Sequence, residues 1–202
     1  SVINSNRHDR LLNLLQQHDG PLAMELYLIR HGIAADRGTY ANDDDRPLTA
    51  AGQTKTQAIA ERFVQLDLHL DCLMTSPLVR AQQTAEIFYQ AGLADRLEIC
   101  PDLAPGRPIE SWLDRYAQWQ QTAPSTGQTT SQNTTTPRRL GLVGHEPTLS
   151  HWANQLLWNP TNDARDTIVL KKAGIIGLIL PPEGSPLGQS QLFWLTPPRL
   201  FL

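Results

Sequence analysis

From residue 24 onward, short apolar runs alternate with helix-patterned segments, and this alternation restricts the fold more than any other feature of the chain. ELYLI, residues 25–29, reads as a short buried strand. Residues 49–66 read as a helix, with Thr49 at its N-cap and Ile59, Phe63, Val64 and Leu66 near one face. DCLMT, 71–75, is a second strand; Ser76-Pro77 then opens a helix to about residue 90, Ser capping and Pro at the first helical position. A short strand near 96–100 and a helix from about 108 to 119 follow. A buried strand runs from Arg139 to Val143, and Pro147 opens a helix to about 158. TIVLK (167–171), IIGLIL (175–180) and QLFWLT (191–196) read as further strands. Such a series, with short joins and no internal repeat, predicts a three-layer α/β/α domain on a mostly parallel sheet.

Three stretches stand outside the series. Residues 1–23 contain DRLLNLLQQHDG, which suits a short leucine-faced helix ending at Gly20-Pro21; they read as an extension ahead of a domain spanning 24–202. Residues 32–47 are polar and rich in Asp and Gly, so they read as a loop. Residues 120–137 are low in complexity and nearly free of charge, and read as a flexible loop able to cover a nearby site. A length of 202 residues suits one domain with extensions. The net charge of −3 supplies no basic field, which argues against nucleic acid or an anionic membrane as partner. No apolar run is long enough for a membrane span, and SVINSNRHDR lacks the apolar core of a secretion signal. Cys72 and Cys100 lie far apart without metal-type spacing, so buried thiols and a cytoplasmic setting are expected.

Ligands of open parallel sheets bind beyond the carboxyl ends of the strands. Arg30-His31 follow the first strand, Ser76 follows the second with Arg80 one turn into its helix, and Gly144-His145 follow the strand RRLGLV. If these strands are neighbours, two arginines, two histidines and two helix N-termini face one mouth. That combination suits an anion, phosphate above all, since guanidinium groups grip it through paired N–H donors. Taken alone, His31 would be a structural histidine and Arg80 a solvated helix residue; their joint placement is what carries the reading. His145 and His151 are six apart and fall on different helix faces, so no metal is expected, nor any cofactor. The five tryptophans read as core or interface.

Four blocks in order, LYLIRHG, RPLTAAGQTKTQAIA, TSPLVRAQQTA and LVGHEPTLS, resemble the histidine phosphatase superfamily, the phosphoglycerate mutase-like group. RPLT, the closing FWLTPP and the short length after Met24 look most like the small SixA-type phosphohistidine phosphatases. The resemblance spans roughly residues 24–198 and implies a phosphoglycerate mutase-like fold. It matches His31 to the nucleophile, Arg30 and Arg80 to the phosphate-clamping arginines, and His145 to the second phosphoryl-binding histidine. It matches Arg46 to a further phosphate contact in the small members. Larger members supply a carboxylate acid, where PDLAPG (101–106) has Ala104; Asp102 and the loop residues Asp36, Asp43, Asp44 and Asp45 are alternative sources, and the Asp run can instead orient Arg46. An imidazole leaving group is protonated near neutral pH, its free pKa being about 6.5, so a site without a strong acid still suits a P–N bond. The implied activity is therefore a phosphatase for phosphohistidine on a protein partner, as in phosphorelay signalling. A phosphomonoesterase for small sugar or organic phosphates, and a non-catalytic phosphate-binding module, are the alternatives.

Overall fold

A computed structural model describes residues 24–121, 137–158 and 168–200. Segment 1–23 and all but the ends of 120–137 fall outside them. Six strands form one sheet: β1 (Met24–Arg30), β2 (Cys72–Thr75), β3 (Leu97–Ile99), β4 (Arg139–Gly144), β5 (Ile175–Leu180) and β6 (Gln191–Thr196). Their order is β3-β2-β4-β1-β5-β6. The first four in that order run parallel, while β5 runs antiparallel to β1, and β6 to β5. The helices are α1 (Ala50–Gln65), α2 (Val79–Gln90), α3 (Ile109–Gln121) and α4 (Thr148–Trp158).

Strand alternation divides the core. Leu26 and Leu28 of β1, with Leu140 and Leu142 of β4, pack against Trp112 and Tyr116 of α3 and Leu149 and Trp152 of α4. Tyr27, Ile29, Leu73 and Val143 pack on the other face with Ile59 and Phe63 of α1 and Ala81, Ala85 and Phe88 of α2. The result is the expected three-layer, phosphoglycerate mutase-like α/β fold with a mostly parallel sheet. Trp112 stacks on Tyr116 with ring centres 5.1 Å apart and lies 5.8 Å from Trp152, so aromatic area fills one face. Trp158, by contrast, is exposed.

Four sequence expectations need correction. Ile168, Val169 and Leu170 belong to no strand: Ile168 and Leu170 are buried as irregular chain, so their apolar character marks burial rather than pairing. The second helix starts at Val79, not Pro77, with Leu78 extended at its cap position. Val64 is exposed; the buried face of α1 runs through Gly52, Thr56, Ile59, Ala60 and Phe63. Pro147 precedes α4, which begins at Thr148. Thr49 does cap α1, its hydroxyl accepting from Gly52 N–H at 3.0 Å. No helix among the described residues is long and apolar enough to cross a membrane.

Candidate active site

The strands carrying the motifs are neighbours. Arg30 pairs in register with Gly144, His31 N–H donates to the Gly144 carbonyl at 3.1 Å, and Ser76 N–H donates to the Val143 carbonyl at 2.9 Å. The exits of β2, β4 and β1 thus deliver Ser76, His145 and His31 side by side. The His31 and His145 rings lie 5.2 Å apart, centre to centre.

These polar groups are buried where ordinary cores are apolar: His31 is 7% exposed, Arg46 7%, Arg80 4% and His145 3%. His31 Nδ1 is 2.8 Å from the Gly32 carbonyl oxygen, which can only accept, so the neutral ring carries its hydrogen on Nδ1 and leaves Nε2 a bare lone pair. Burial pushes its pKa down to about 3; Arg80, Arg30 and Lys172 push the same way, against the Gly32 hydrogen bond. His145 Nε2 is 2.7 Å from Ser76 Oγ. That oxygen also accepts from Leu78 N–H at 3.3 Å; with the Ser76 hydroxyl hydrogen directed at Nε2, the His145 proton sits on Nδ1. Burial first, then the charges of His31 and Arg80, lowers His145 to about 3 as well.

Asp43 joins the two loop-side arginines. Its carboxylate accepts from Arg46 Nε at 2.9 Å and lies 3.1 Å from Arg80 Nη2, while its carbonyl accepts from Arg80 Nη1 at 2.8 Å. Arg46 also donates to the Ala35 carbonyl at 2.6 Å. The hydrogen bond from Arg46, with the nearby Arg80 charge, holds the Asp43 carboxyl below its usual range. Asp43 is therefore an ionised orienter of arginines and not a proton source. Asp102, another of the candidate acids, sits in a single 3-10 turn, Pro101–Leu103, and pairs with Arg115 at 2.9 Å.

Helix α2 fastens both motif loops. Thr84 Oγ accepts from Gly32 N–H at 3.0 Å, and Gln83 Oε1 accepts from Leu48 N–H at 2.7 Å. Gly32 must lack a side chain, since a Cβ there would stand 2.5 Å from Thr56 Oγ1. Gly52 is tighter still: a Cβ would meet the Ile33 carbonyl oxygen at 2.0 Å. Thr84 and Gln83 follow Arg80 within RAQQTA, yet only the folded loops reveal their partners. Glu146, beside His145, is a carboxyl that sequence reasoning passed over. Ser150 Oγ donates to its Oε2 at 2.7 Å, and Oε1 is buried with no hydrogen-bond partner. Burial raises its pKa, with Ser150 and Arg30 opposing.

Three buried donors at this mouth, Arg30 Nε, Arg80 Nε and His145 Nδ1, have no hydrogen-bond partner. Buried donors left unpaired are costly, and an oxyanion is the kind of group that would pair them. Among the described residues no three His, Cys, Asp or Glu side chains gather as a cation site.

With fold and site described, the kinship is direct: the family model of the histidine phosphatase superfamily (branch 1) matches residues 26–138, and the chain belongs to that superfamily. An uncharacterised protein of Picosynechococcus sp. is 42% identical over 183 residues, covering 89% of this chain and 99% of that one. The mitochondrial serine/threonine-protein phosphatase Pgam5 of Drosophila grimshawi is 32% identical over 108 residues, and the match spans 37% of its length. Among solved structures, the protein histidine phosphatase SixA complexed with tungstate superposes with a TM-score of 0.66 at 21% identity, covering 89% of this chain and 100% of that one. The alpha-ribazole phosphatase of Shigella flexneri gives 0.63 at 17% identity, covering 87% and 97%. At these identities the superpositions speak for the fold. Family membership supports phosphatase activity.

Proposed function

We propose that the protein hydrolyses phosphohistidine on a protein partner through a covalent intermediate on His31. The observation that carries this is the His31 ring, its Nδ1–H fixed to the Gly32 carbonyl and its burial keeping Nε2 unprotonated beside three unpaired donors. In this reading the Nε2 lone pair attacks phosphorus in line, and the scissile P–N bond breaks with its electron pair passing to the leaving imidazole, which takes up a proton. Arg30, Arg80 and the His145 Nδ1–H donate to the non-bridging oxygens, where positioning and charge do most of the work of phosphoryl transfer. Arg46 acts beside them from the other side of Asp43. Water then attacks phosphorus, releasing inorganic phosphate and returning the electron pair to Nε2.

The leaving group follows from the acids. Asp43 is held ionised and Asp102 is engaged by Arg115, which favours a leaving group that is basic enough to be protonated without a strong acid. Glu146 favours the second reading, a phosphomonoesterase for small phosphates, because its raised, partly unpaired carboxyl suits an acid that protonates an alkoxide. The deciding experiment offers the chain a phosphorylated histidine-containing transfer domain and a panel of alkyl and sugar phosphates. Faster turnover of the protein substrate, with acid-labile phosphate trapped on the chain and lost in His31→Ala, is the expected result. Faster turnover of the esters, and their selective loss in Glu146→Gln, would give the second reading. No turnover and no trapped phosphate would leave a binding module.

A further inference from the structure

Lys172 lies in the connection leading into β5, just past the segment 167–171 that the sequence reads as a strand. This connection is fastened onto the exit of β1. Ala173 N–H donates to the carbonyls of both Arg30 (3.0 Å) and His31 (3.1 Å), and Arg30 N–H donates to the Gly174 carbonyl at 3.1 Å. The Arg30 side chain adds a bond from Nη1 to the Leu170 carbonyl at 2.8 Å. The turn is tight: Gly174 N–H closes on the Lys171 carbonyl at 2.7 Å, and a Cβ at Gly174 would stand 2.8 Å from that oxygen. Buried Ala173 is held at φ +56°, a conformation that residues with a side chain seldom adopt and that persists where the surroundings impose it.

Lys172 is therefore placed by a rigid turn, one residue before Ala173, whose N–H is shared between the Arg30 and His31 carbonyls. It is exposed, and no ion pair or hydrogen bond engages its ammonium among the described residues. Its charge nevertheless reaches the His31 ring, alongside those of Arg80 and Arg30. Inside the mouth, Arg30, Arg80 and His145 already supply donors for the phosphoryl oxygens. An unpaired cation on the rim beside them has a different task.

Resting on the phosphatase reading above, we infer that Lys172 binds a second anionic group of the substrate, adjacent to the transferred phosphoryl. The group is a carboxylate or phosphate in a small molecule, or an acidic side chain in a phosphorylated protein. Calorimetric titration with two phosphonates, 3-phosphonopropionate and propylphosphonate, isolates the term because neither is hydrolysed. The unmodified chain is expected to bind the carboxylate-bearing compound about fivefold tighter, the upper range for an exposed ion pair. Lys172→Gln removes that preference while propylphosphonate affinity holds, Lys172→Arg restores it, and Lys171→Gln leaves it intact. Equal binding by the unmodified chain, or a preference that survives Lys172→Gln, overturns the inference. Neither outcome depends on whether the chain turns over phosphohistidine, so the two readings fail separately. The source of the anion is read from kcat/KM on two pairs: phosphohistidine peptides flanked by Glu or Gln, and phosphoglycolate against ethyl phosphate. A Lys172-dependent preference in the first pair assigns it to a protein, in the second to a small molecule. None in either pair counts against the inference.

Discussion

Replacing Ser76 with alanine leaves His145 Nε2 without its 2.7 Å partner and frees the ring to move its hydrogen. Loss of one properly aimed donor to a developing oxyanion slows chemistry about a hundredfold, so Ser76→Ala should lower kcat by that order with KM little changed. Ser76→Thr, which keeps the hydroxyl, should recover most of it; a kcat unmoved by alanine would remove Ser76 from the mechanism. Asp43→Asn weakens the bridge between Arg46 and Arg80 and should lower kcat/KM by about tenfold through misplaced guanidinium groups. Steady-state assay of the purified variant checks this, and full activity would mean that the arginines hold their places unaided. The His31 value of about 3 makes a third prediction: the rate of phosphohistidine formation on the chain keeps no acidic limb near 6.5 and falls only well below pH 5. Rapid-quench rates across pH test it on a substrate whose own ionisation is matched. At this scale Arg30, His31, Arg46, Arg80 and His145 could be picked out as candidates because spaced motifs carry them. Lys172, Glu146 and Thr84 could not: one polar residue in a loop has no period, and its meaning comes from whichever backbone lies opposite.

Elements repeat that contrast. The strands and helices flanking the site were readable because buried strands are dense in branched residues and α1 opens with a true capping threonine. TIVLK was misread because burial and strand pairing leave the same apolar trace, and nothing local shows that Ile168 and Leu170 bury their side chains as irregular chain. Ser76-Pro77 carries a helix-start signal, but its hydroxyl is recruited by His145 and the helix begins later. The contact between α1 and the loop after His31 gives a prediction at the same scale. Gly52→Ala forces a methyl onto the Ile33 carbonyl, and overpacking against backbone costs about 1–3 kcal/mol. A urea midpoint equal to that of the parent chain would contradict this account. On the opposite face, Trp112→Ala removes a fully buried ring stacked on Tyr116 and should cost about 3–5 kcal/mol.

For the whole molecule, the two site histidines set an acid limit. Both folded-state values lie near 3, below the ordinary 6.5, so between those limits the unfolded chain binds more protons than the folded one. Their contribution to stability is unimpaired above about pH 6.5 and declines as pH falls towards 3; Asp43, held low, adds to the decline, while Glu146, held high, opposes it. Denaturation midpoints at pH 7 and pH 4.5 should differ clearly in the parent and less in a His31→Gln/His145→Gln double variant, and an equal difference would refute the assignment. The reversed direction of β5 has a consequence for how such a molecule can diversify. In a wholly parallel sheet, the chain entering a strand lies at the edge away from the ligand. Turning β5 around brings its entry to the same edge as the exit of β1. Leu170, Ala173 and Gly174 are pinned there by their bonds to Arg30 and His31, whereas the exposed Lys171 and Lys172 between them can change charge while that anchored frame stays in place.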